Sequence, residues 1–113
     1  MAYATLDEFK QRMNLTGTTP AQDDTAQGCI DAATQEIDSF LDWETTGAPT
    51  DLTVDQLALL EIVNIDRAAE HWRLTPFGAL PQAAETGPIL TARDSWYRHA
   101  RKLASLQHAW GVA

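Results

Sequence analysis

Apolar and polar positions follow the period of an α-helix in four stretches of this chain. Leu6, Phe9 and Met13 share one face at i, i+3 and i+7. Thr5 and Glu8 precede and enter that stretch at capping-box spacing, in which each side chain accepts from the other residue's backbone N–H. Asn14 and Gly17 can end the helix, so the first is predicted over 5–14. Thr19-Pro20-Ala21-Gln22 opens the second. Proline suits a first helical position because its missing N–H would be unpaired there anyway. Asp23 and Asp24 suit the positive end of the helix dipole. Ala26, Ile30, Ala33, Ile37 and Phe40–Leu41 then form the apolar stripe, with Asp31, Glu36, Asp38 and Asp42 on an acidic outer face. This helix is predicted over 20–42, ending near Trp43 before the turn-rich residues 45–51.

The third stretch opens with another capping box, Thr53 and Gln56, and is predicted helical over 53–73. Leu57, Leu59, Leu60, Ile62, Val63, Ile65, Ala68, Ala69 and Trp72 cover most of its circumference. A helix apolar nearly all round is a central one, packed on several sides. Glu61, Asn64, Arg67 and Glu70 recur at three-residue steps and predict one narrow solvated edge. Residues 74–90 lose the period and contain Pro76, Gly78, Pro81, Gly87 and Pro88. They predict a loop long enough to be functional or mobile, with Pro88-Ile89-Leu90 able to form a short extended strand. A fourth helix is predicted over 91–108, capped by Thr91 with Asp94. Trp96, Ala100, Leu103 and Gln107 line its apolar face, extended by Tyr97, Ala104 and Trp110, while Arg93, Arg98, Arg101 and Lys102 fill the rest. Trp72 and Trp96 are expected in the core. The fold expected is all-α: one compact, four-helix bundle-like domain over 1–113 with a long loop before the last helix.

Length and charge sharpen that picture. At 113 residues the chain can bury one core and has no room for a second domain. Its net charge of −8 argues against gripping nucleic acid with the whole surface. The charge is uneven: residues 1–66 carry thirteen acids against Lys10 and Arg12, whereas residues 67–113 carry six bases against three acids. Such a split suggests two faces with different neighbours. Cys29, the only cysteine, falls in an apolar stripe and reads as a small core residue of a protein made in a reducing compartment. No basic segment leads into an apolar run near Met1, and no stretch approaches a membrane span.

Signals for chemistry are missing. His71, His99 and His108 lack the spacing and partners of a zinc site, and Glu70-His71 is not the Glu-x-x-His of a di-iron bundle. They read as satisfied surface or helix-end histidines. No nucleophile elbow, P-loop or dinucleotide fingerprint is present. The sequence therefore predicts no enzyme, no catalytic residue, no metal and no cofactor. Basic residues interleaved with Trp96, Tyr97 and Trp110 could hold a single strand, but the aromatics lie on the apolar stripe and the core accounts for them first. Trp110 could equally fold back or enter a subunit contact.

The order of these features is familiar. Tyr3-Ala4-Thr5-Leu6-Asp7-Glu8-Phe9-Lys10 runs into a short helix, and an acidic amphipathic helix follows. The apolar central helix ends in Ala68-Ala69-Glu70-His71-Trp72-Arg73, then come Thr75-Pro76-Phe77-Gly78, a long loop and a basic final helix. Over most of its length the chain resembles the small head–tail connector proteins of tailed bacteriophages, also called adaptor or head-completion proteins. The resemblance implies a structural subunit made in the host bacterial cytoplasm and placed in the virion neck. It implies a dodecameric homo-oligomeric ring beneath the portal protein, which extends the DNA channel and offers a platform to the next neck or tail completion protein. DNA would pass through without sequence-specific binding and without a membrane being involved. Charge and position mark Arg93, Arg98, Arg101, Lys102 and Trp110, and more weakly Phe77, as contacts to the portal or a neighbouring subunit. Reversing Arg98 and Arg101 to Glu is expected to abolish docking and leave the monomer helical. Two other readings remain: a small phage DNA-binding protein such as a terminase small subunit, and a helical interaction module or acidic DNA mimic.

Overall fold

The structure, a computed structural model, describes residues 2–79 and 92–109, with side chains 96–106 in the latter segment. The strand reading of 88–90, the Thr91 cap and Trp110 lie outside the described residues, as does the Arg93 side chain. The described residues form five helices and no strand: α1 Leu6–Met13, α2 Pro20–Phe40, α3 Val54–Arg73, α4 Pro76–Ala79 and α5 Ala92–Ala109. The fold is all-α, and its four longer helices match the expected bundle. The single-turn α4 occupies the start of the predicted loop.

Local chemistry sets the helix ends. Thr5–Glu8, Thr19–Gln22 and Thr53–Gln56 all form reciprocal capping boxes. Asn14 ends α1 in the left-handed region at φ 57°, a conformation its short polar side chain tolerates. α2 ends two residues earlier than the stripe predicts: Leu41 is its C-cap and Asp42 turns the chain at φ 61°. That turn carries Trp43 back into the core, where it is 5% exposed and meets Tyr3 edge-on at 6.4 Å.

α3 is the hub and touches α1, α2, α4 and α5. Two apolar clusters flank it. One joins α1 to α2 and α3 through Phe9, Ile30, Ala33, Ala68 and Trp72. The other joins α2 and α3 to α5 through Ile37, Leu41, Leu60, Val63, Leu103 and Leu106. Within α5 the buried stripe is His99, Leu103 and Leu106, with Trp96 partly buried beside it. Tyr97, expected on that stripe, is 63% exposed. It follows Trp96 by one residue, about 100° around the helix, which is enough to leave the seam.

Two further expectations for α3 are corrected. Its circumference is not covered: Val54, Leu57 and Ile62 are exposed. And the polar edge is not solvated: Asn64 and Arg67 are almost completely buried. Asn64 faces the N-terminal segment, its Oδ1 accepting from the backbone N–H of Tyr3 and of Ala4, both at 3.0 Å, while its Nδ2 donates to the Ile30 carbonyl at 3.2 Å. The Tyr3 hydroxyl donates to Asp38 on α2. One asparagine thus straps residues 2–4 across α2 and α3. Asn64→Leu leaves two backbone donors without an acceptor and is expected to cost about 1–2 kcal/mol. Limited proteolysis should then release the N-terminal segment before the helices unfold; an unchanged pattern would mean that Asp38 alone holds it.

Candidate functional site

Beneath the basic last helix lies a buried network of charges. Arg67 on α3 is 2% exposed. Its Nε and Nη2 donate to both carboxylate oxygens of Glu36 on α2, at 2.9 and 2.7 Å. Its Nη1 donates to Glu70, one turn along α3, at 3.1 Å. The guanidinium carbon also sits 5.3 Å from the centroid of the Trp96 ring on α5, within cation–π range. One arginine therefore touches all three long helices. The planar fork suits this task, since it satisfies two carboxylates and stacks on a ring at once.

The two carboxylates carry further partners. His71 Nε2 lies 2.6 Å from Glu36, and His99 Nε2 lies 2.9 Å from Glu70. Arg98 Nη2 donates to the other Glu70 oxygen at 2.9 Å from the exposed side of α5. The second ring nitrogen of His99, Nδ1, is buried with no hydrogen-bond partner among the described residues. Burial alone would push the Glu36 carboxyl up. The Arg67 and His71 hydrogen bonds and the Arg67 charge outweigh it and hold the group at about 2. Glu70 is lowered by the same balance, burial against Arg67 and His99. Both carboxylates are thus committed to ion pairs, and the arrangement serves as a joint holding α5 on α2 and α3.

The outward side of that joint carries the sequence-predicted contacts. Arg98 is anchored to Glu70, so reversing it would set two carboxylates against each other inside the joint. Arg101 and Lys102 are exposed. Lys102 shares a cleft between α3 and α5 with Arg73, Arg98, His99, Glu70 and Asp66. Arg73, not expected at this surface, joins the basic group because α3 ends beside α5. Phe77 on α4 is 43% exposed and stacks on Trp72 at 5.8 Å. It is held there by Gly78, where a Cβ would lie 2.8 Å from Cδ1 of that tryptophan. Phe77 therefore packs on Trp72, at the same C-terminal end of α3 that carries Arg73.

Sequence reasoning missed Glu36, Arg67, Glu70, His71 and His99 as partners. The three-residue recurrence of Asn64, Arg67 and Glu70 was the available signal, and it carries no sign of burial. Among the described residues no group of three His, Cys, Asp or Glu is placed to hold a metal ion, and no helix is long and apolar enough to cross a membrane. No family model, curated protein or solved structure matches the chain.

Proposed function

We propose that the chain is a structural subunit of a head–tail connector ring. In this reading it sits below a portal, extends the DNA channel and gives the next neck or tail protein a platform. One observation carries the reading: opposite charges are sorted onto different sides of a braced helical frame. Arg73, Arg98 and Lys102 line the cleft along α3 and α5, where Glu70 and Asp66 are already paired with Arg67, Arg98 and Arg12, and the exposed Arg101 precedes Lys102 on α5. A second cleft, along α2, is lined by Asp31, Asp38 and Glu44 with Thr34, Gln35 and Ala2. The two sides are separate because Glu36 and Asp38 are two residues apart, about 200° around α2. Glu36 faces Arg67 while Asp38 faces Tyr3.

An acidic side turned to a channel would repel phosphates and let DNA slide. A basic side held rigidly by the joint would meet an acidic surface on a portal or on a neighbouring subunit. The test is native mass spectrometry of the full chain, alone and mixed with a portal ring. The expected result is a closed oligomer or a stoichiometric portal complex, weakened by added salt because the contacts are between exposed charges. A persistent monomer that ignores the portal would overturn the reading in favour of an interaction module. A salt-dependent shift of DNA without portal affinity would overturn it in favour of a DNA-binding protein.

A further inference from the structure

The N-terminal half of α3 presents an apolar surface that nothing in the described chain covers. Val54 is 82% exposed, and Leu57, Ala58 and Ile62 are exposed beside it. Nine residues make two and a half helical turns, so Val54 and Ala58 stand on the side opposite Val63 and Arg67. The latter two face the seam with α2 and α5. α1 covers only the C-terminal half of the outer side, through Phe9 against Ile65, Ala69 and Trp72.

At the border of this surface two acids meet. Glu8 on α1 stands beside Glu61 on α3, and that contact raises the Glu61 carboxyl above its ordinary range. No cation among the described residues pairs with either one. Two adjacent carboxyls repel each other, so a cation placed against them gains from both. The surface therefore asks for a partner that is apolar and basic together.

The outer face of α5 has that composition. Tyr97 is 63% exposed, and Arg101 follows one turn later with Lys102 beside it. Neither cation has an ion pair among the described residues. Tyr97 and Arg101 repeat the i, i+4 spacing at which Leu57 and Glu61 stand on α3. Residues at that spacing are neighbours on one helix face, so an aromatic–cation pair can lie over an aliphatic–acid pair in register. Within one chain the two faces cannot meet, because α5 packs on the other side of α3.

We infer that the Tyr97–Arg101–Lys102 face of α5 in one copy docks on the Val54–Leu57–Glu61–Ile62 face of α3 in the next. The inference deepens the ring reading above and rests on it. The occupant is a second copy because both complementary halves are present on this chain and on different sides. The two surfaces are unlike, so the contact is heterologous: each copy gives one face and receives the other, and the series closes into a ring or runs on.

The test uses two variants of the full chain, each checked for helicity by circular dichroism. Leu57→Asp with Ile62→Asp removes the receiving face. Arg101→Glu with Lys102→Glu removes the donating face and leaves Arg98 in place. Self-association is followed by analytical ultracentrifugation, and on a portal ring by native mass spectrometry. Each variant alone is expected to associate about a hundredfold more weakly than the parent, the effect of losing a central anchor. An equimolar mixture should give a 1:1 heterodimer and nothing longer, since one intact face survives on each partner. Glu61→Arg should likewise weaken association, and Arg101→Glu added to it should restore it. If the parent assembles and both variants assemble equally well, the inference is overturned while the ring reading stands. If the variants keep self-association but lose the portal, the faces serve another protein and the inference is again overturned. If the parent stays monomeric alone and on the portal, both readings fall together.

Discussion

Arg67→Met is expected to lower the free energy of unfolding by about 3–5 kcal/mol, the range for breaking a buried ion pair by removing one partner. Methionine nearly fills the volume, so the loss is electrostatic and not a cavity effect. Glu36 would keep only His71, and Glu70 would keep only His99 and Arg98. The contact with the Trp96 ring would go as well. Because Arg67 reaches three helices, the damage should fall first on the attachment of α5. Urea denaturation followed by tryptophan fluorescence reads the stability, and tryptic cleavage at Arg101 and Lys102 reads the release of the helix. Arg67→Lys should recover little, since an ammonium cannot bind Glu36 through two donors and stack on a ring. Arg101→Met, at an exposed position, should stay within about 0.5 kcal/mol of the parent. A change below about 1 kcal/mol in Arg67→Met would show that the network is not a joint.

Acidification is expected to loosen the same joint. Glu36 titrates at about 2 in the folded chain against an ordinary value of 4.5. Between those values the unfolded chain binds the proton and the folded chain does not. The stabilisation is therefore complete above about pH 5 and is lost as pH falls toward 2. At face value the shift corresponds to about 3 kcal/mol. A third of the Glu36 side chain is open to solvent, which brings the figure nearer 2 kcal/mol. Glu70 acts in the same direction. Urea midpoints measured from pH 7 down to pH 3 should fall steadily, and Glu36→Gln, already destabilised at pH 7, should show a flatter profile. An equally steep profile in Glu36→Gln would place the acid sensitivity in other carboxylates. Assembly through α5 should weaken over the same range, because the basic face depends on the joint beneath it.

Three capping boxes, a proline at a helix start and four apolar stripes determine the helices from local sequence alone. Each of those signals acts within one turn or one helix face, so the periodic pattern carries it directly. The charge split between the first 66 residues and the rest was equally legible, and so were Arg101 and Lys102 as exposed cations. The tertiary structure decided what lies between the helices. Asn64, Arg67 and Glu70 follow one another at three-residue steps, and that spacing is the same for a solvated edge and for a buried seam. Which it becomes depends on Glu36 thirty-one residues earlier, on Trp96 and His99 about thirty residues later, and on the Tyr3 and Ala4 backbone. The apolar count along α3 likewise could not tell which side α1 is too short to cover. Helical periodicity records that a residue faces inward or outward only when one side of the helix is dry. A helix flanked by neighbours on several sides has its wet and dry faces assigned by those neighbours.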